Sequence, residues 1–239
     1  MVRATRQEVC RVEDFESWRV AARRFLEAEV PPEGAVFFDR WERQGWLEFG
    51  APERERLAAG RGVKRPIVPK AFLPTARVVA CHREPRRWKL LYRLLWRLTH
   101  GEPRLLDCDG DEDIYFARRL EKQVQRDAQQ MTASVRLRQV GRRGEPWFAA
   151  WCRPEHRVVR LVAPFFVDRF ATMRWTILAP EESVSWDCAQ LVFHAGTGRE
   201  TPGDAGLEEF WMRHYGALFG RAGSRVRGAK LQRVAKSRG

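Results

Sequence analysis

Three side chains stand where acid–base chemistry could be done. His156 follows Glu155 at the head of the stretch 154–187, PEHRVVRLVAPFFVDRFATMRWTILAPEESVSWD. A histidine there serves as a general base or a phosphate contact, or as a capping residue of the first helical turn. Asp127 and Asp168 are carboxylates able to activate a water, as a glycosylase-like hydrolysis needs near the sugar. Each has an arginine beside it, Arg126 or Arg169, so plain ion pairing is the competing use. No spacing in the chain sets out a nucleophile, a base and an orienting group together.

A second group of residues is suited to polyanions. The 239 residues carry 44 Lys and Arg against 31 Asp and Glu, a formal charge of +13. Such a surface attracts nucleic acid first and anionic membrane second. Residues 84–99, EPRRWKLLYRLLWRLT, form the clearest expected helix, with Trp88, Leu91, Leu94, Leu95 and Leu98 on its apolar stripe. Its other face carries Arg86, Lys89, Arg93 and Arg97, and Glu84 is the one acid between Arg83 and Arg97. A face of one sign either lies along a phosphate backbone or is the solvated side of a core helix. Arg118, Arg119, Lys122 and Arg126 point outward from the next helix, and Arg118, Lys122 and Arg126 join the candidate nucleic-acid contacts. Arg136 and Arg138 share a face of an expected hairpin, and Lys230 lies in a tail, 220–239, with seven Lys and Arg and no acid. Trp175 and Trp186, on facing strands, are candidates to stack an extruded base, with core packing as the alternative. Arg174, beside Trp175, needs an acceptor, either Asp187 or a phosphate.

Metal and cofactor sites are not expected. The five cysteines show no C-x-x-C spacing, and 107–113, DCDGDED, lacks the ligand order of a calcium loop. Those carboxylates are better placed to cap the helix that follows. No Gly-rich phosphate loop and no βαβ alternation is apparent, which argues against dinucleotide and P-loop folds.

The elements that must hold these residues follow from periodicity. Helices are expected over 12–29, 69–81, 84–99, 114–131, 155–172 and 207–219. In the helix over 155–172, Val158, Leu161, Val162, Phe165, Phe166 and Phe170 form the apolar face. Strands are expected at 35–38, 134–140, 147–152, 173–179, 184–186 and 190–194, forming two hairpins and an added strand. The fold class is therefore α+β: an antiparallel sheet built from hairpins and packed against several amphipathic helices. Three regions are expected: 1–66 (an N-terminal helix, a short strand and a variable linker), an α+β core over 67–220, and the basic tail 221–239. No apolar window reaches membrane-span length and the N-terminus has no apolar run, so a cytoplasmic protein is expected.

Five stretches in order, WRVAARRFLEAEVPPE, VPKAFLPTARVVACHREPRRWKLLYRLLWRLTHGEPRLL, RRLEKQVQRDAQQMTASVRLRQV, the stretch 154–187, and EEFWMRHYGALF, carry a resemblance. The chain resembles a bacterial family described as DNA-metabolism or repair proteins. A similar domain is fused ahead of UdgX-type uracil-DNA glycosylases, and the stand-alone form is often paired with a radical-SAM protein proposed to act on DNA. The resemblance covers nearly the whole chain. It implies DNA as a partner, with a radical-SAM or uracil-DNA glycosylase-type protein as a second one. Where the family reads D-x-H-K-M at the end of the long helix, this chain keeps Asp127 and Met131 but has Gln129 and Gln130. The tail ends VAKSRG, without the family's aromatic. Together these features point to a DNA-binding accessory protein of repair or base modification. The alternatives are an enzyme acting on damaged or modified bases, and a protein-interaction subunit without DNA affinity.

Overall fold

A computed structural model describes residues 8–39, 67–140, 146–203 and 206–219, with the backbone alone for 215–219. The linker aromatics near 41–49, the turn at 141–145 and the tail with Lys230 lie outside the described residues. So do the expected boundary residues 66 and 220. The chain divides by contact into two compact units, Met1–Asp127 and Ala128–Gly239.

In the first unit, β1 (Glu8–Val12) pairs in parallel with β2 (Ala35–Asp39), and α1 (Phe15–Glu27) connects them. Asp14 and Ser17 form a reciprocal capping box at the start of α1. Phe15, Trp18, Ala22, Phe25 and Leu26 are buried, as their helical spacing predicts. Helices α2 (Phe72–Ala80) and α3 (Arg87–Thr99) complete the layer, and the whole expected stripe of α3 is buried. Trp18 and Trp88 stack with centroids 6.3 Å apart, and the Trp18 indole N–H donates to the Trp88 carbonyl. Tyr92 lies in this core and donates its hydroxyl to the Val30 carbonyl; burial pushes its pKa up. The long helix α4 (Glu112–Ser134) contributes residues to both units.

The second unit is a five-stranded sheet in the order β3 (Arg138–Val140), β4 (Trp147–Trp151), β5 (Trp175–Leu178), β6 (Glu182–Trp186), β7 (Leu191–Ala195). Both expected hairpins form, and β7 adds antiparallel to β6. The class is α+β, with a mostly antiparallel sheet. One expectation is corrected: β4 and β5 pair in parallel, joined by α5 (Val159–Arg169), and β1–α1–β2 is a second such crossover. Parallel neighbours come from non-adjacent segments, so local alternation does not show them.

The register sorts the sheet's two faces. Phe148, Ala150, Trp175, Ile177, Val184 and Trp186 share the face of α5, where Phe166 meets Trp175 at 6.0 Å. Val140, Ala149 and Leu178 pack with Phe210 and Trp211 of α6 (Gly206–Phe219). The apolar side of α5 is narrower than its sequence suggests: Val159, Val162, Ala163 and Phe166 are buried, but Phe165 is 45% exposed.

Candidate nucleic-acid interface

The arginines Arg93 and Arg97 of α3 are held by acids of the segment before α4 and of its first turn. Arg93 forms a forked contact with both carboxylate oxygens of Asp113. Arg97 reaches Glu102 and Asp111, each at 2.7 Å, and Asp113 at 3.3 Å. Hydrogen bonding to Glu102 and Asp111 raises the Arg97 pKa. The Arg97 guanidinium in turn holds the Asp111 carboxyl below its ordinary value. Asp111 also caps α4, its Oδ1 accepting from the backbone N–H groups of Asp113 and Ile114 at 3.0 and 3.1 Å. Arg86 donates to Glu84 at 2.8 Å and lies over the Phe116 ring. Of the four expected contacts on α3, Lys89 is exposed and forms no ion pair among the described residues.

The outer side of α4 is different. Tyr115, Arg119, Lys122 and Arg126 are exposed and follow one another at spacings of three and four, and Gln129 and Gln130, exposed too, stand three and four positions after Arg126, which places them on one stripe. From Tyr115 to Ala133 the helix rises about 27 Å. No acid falls on this stripe, and among the described residues Arg119, Lys122 and Arg126 pair with none. Arg118, one position round the helix, is tied to Asp109 and to the Leu106 carbonyl. Arg119 completes the stripe in place of Arg118, the contact expected from the sequence.

The remaining candidates are dispersed. Arg136 precedes β3 and donates to the Ala133 carbonyl at 2.7 Å, satisfying the C-terminal end of α4. Arg138 is exposed on the edge strand. Trp175 is fully buried against Phe166 and is a core side chain, not a platform for a base. Trp186, its cross-strand partner, is half-buried, and its indole N–H donates to the Ala171 carbonyl at 3.0 Å. Arg174 is half-buried. Asp187 uses Oδ1 to accept from the N–H groups of Ala189 and Gln190, closing the β6–β7 turn.

His156 is 5% exposed and lies in the bend before α5, not in its first turn. Asp168 is exposed near the other end of that helix. The intervening turns of α5 separate the two by more than about 13 Å along the axis, so they do not converge. Asp127 is buried on α4 in the first unit. No group of three or more His, Cys, Asp or Glu among the described residues is arranged to hold a metal.

One polar row was not foreseen. The Trp147 indole N–H donates to Thr176 Oγ1 at 2.9 Å, Thr176 meets Ser185 Oγ at 3.0 Å, and Ser185 meets His194 Nε2 at 3.1 Å. The row crosses β4, β5, β6 and β7, and burial lowers the His194 pKa. Ser185 and His194 are within nucleophile–base reach, but Ser185 is 3% exposed. The row therefore bonds strands rather than presenting a reactive hydroxyl. It is visible only in register, because its members lie far apart in sequence.

The fold is that of an α+β protein with an exposed basic stripe on α4. Residues 85–232 match the model of a domain of unknown function, DUF4130, and the chain belongs to that family. No curated protein and no solved structure matches it. No helix among the described residues is long and apolar enough to cross a membrane.

Proposed function

We propose that this protein is a DNA-binding accessory protein of DNA repair or base modification, holding DNA for a partner enzyme. The outer stripe of α4 carries this reading, because among the described residues it presents Arg119, Lys122 and Arg126 to solvent with no acid to neutralise them. Exposed positive charge of this kind binds phosphate by releasing counterions from the nucleic acid. The surplus of +13 over the whole chain adds long-range attraction. An accessory role is favoured over catalysis because His156 and Asp168 do not converge and Ser185 is closed to substrate. The resemblance described above supplies the class of partner, a radical-SAM or uracil-DNA glycosylase-type protein.

Binding of a fluorescent duplex by the full chain, followed by anisotropy across a salt series, tests the proposal. Measurable affinity at low salt with a steep linear fall in log K against log salt is expected. Absence of binding to any DNA at low salt would overturn it.

A further inference from the structure

Resting on that reading, we propose that the substrate class is B-form duplex DNA and that α4 enters its major groove. The stripe runs about 27 Å along the outer side of a single helix, and so is a convex rod. Single-strand binders do the opposite: they offer a basic groove lined by successive aromatic platforms. Along this stripe the aromatic side chain is Tyr115, at one end, and no row of rings accompanies the bases. A convex helix is accommodated by the major groove of B-DNA, roughly 12 Å wide, whereas the deep, narrow major groove of A-form RNA does not admit it.

The chemistry along the stripe changes in a way that fits this seat. Arg119, Lys122 and Arg126 supply point and forked cations for phosphates. Gln129 and Gln130 follow within the next turn, exposed and uncharged. A glutamine amide offers a donor and an acceptor side by side, the pair that matches N6 and N7 of adenine in the major groove. Phosphate contacts therefore set the position of the helix, and the two amides face base edges.

Anisotropy with the full chain on three probes of equal length and sequence, duplex DNA, duplex RNA and single-stranded DNA, tests the inference. Duplex DNA should bind about tenfold or more tightly than either other probe. The triple variant Arg119→Gln, Lys122→Gln, Arg126→Gln should lower the magnitude of the salt slope by about 2–3, since each lost phosphate contact removes about 0.9. Gln129→Ala with Gln130→Ala should leave the salt slope unchanged and flatten preference among duplex sequences. Unchanged thermal melting by circular dichroism confirms that the variants are folded. Equal affinity for duplex RNA, or a triple variant that binds duplex DNA as the parent does, overturns the groove inference while leaving DNA binding itself intact. Failure of the unaltered chain to bind any of the probes overturns the parent reading instead. Binding to polyglutamate-coated beads, competed poorly by duplex DNA, would identify the stripe as a protein-docking face and also overturn the inference.

Discussion

Helices α3 and α4 both carry arginine and lysine at helical spacing on their outer sides, yet the acids of the described residues neutralise the arginines of α3 and leave the outer stripe of α4 charged. On α3, Arg93 and Arg97 are paired with Asp113, Asp111 and Glu102, and Arg86 with Glu84. On α4, Arg119, Lys122 and Arg126 are exposed and pair with no acid among the described residues. The two faces look alike in a list of charges because the acids that neutralise Arg93 and Arg97 come from a different segment, 102–113. A basic helix face is thus a binding candidate only after its through-space acids have been counted. Arg87 is the limiting case: it is buried, donates to the Ala80 and Glu84 carbonyls, and pairs with the buried Asp39.

Four measurements break or sharpen this contrast. Arg87→Met takes the paired cation from the buried Asp39 and should lower stability by about 3–5 kcal/mol in urea unfolding. Adding Asp39→Leu should recover part of the loss, and a single variant as stable as the parent would show that the pair does not hold the fold.

Asp111→Ala should cost about 1–2 kcal/mol, because it removes the cap of α4 together with one partner of Arg97. A change within error would place the stability of that helix start elsewhere. Asp111→Asn with Asp113→Asn is expected to keep the cap and to release Arg93 and much of Arg97. Duplex affinity should then rise several-fold and the salt slope steepen by about 1–2, as newly available cations meet phosphates. No change in either would show that the α3 face is inaccessible to DNA for reasons other than neutralisation.

The smallest effect concerns a group kept uncharged by burial. The His194 pKa is lowered on folding, so the unfolded chain binds its proton more readily. Stability from this group is present above the unfolded value, about 6.5, and declines as pH falls through it. Urea midpoints of the parent should therefore drop from pH 7.5 to 5.5 more than those of His194→Gln. Parallel curves would remove His194 from the account.

Much of the architecture was legible locally. The stripes of α1 and α3 announced themselves by period, and the carboxylates at 107–113 announced a helix start. The two hairpins followed from alternation broken by turn residues. The exceptions have particular causes. Phe165 fits an apolar period, yet the sheet meets α5 along Val159, Val162, Ala163 and Phe166, and Phe165 falls outside that contact. Trp175 offered a ring of the right kind for stacking a base, but its place is set by Phe166. The parallel neighbours β4 and β5 are joined by a helix, so adjacency in sequence gave no sign of adjacency in the sheet.

The sequence by itself determined most of the element types (β1 excepted), the α+β class, the excess of positive charge and the family, because period, composition and long motifs are properties of the chain read in order. Tertiary structure decided which arginines are neutralised, which face of α4 stays open, and how Trp147, Thr176, Ser185 and His194 come into one row. Ion pairs and cross-strand bonds act over a few ångströms of space, whereas Arg87 and Asp39 stand 48 positions apart along the chain and Trp147 and Thr176 stand 29 apart.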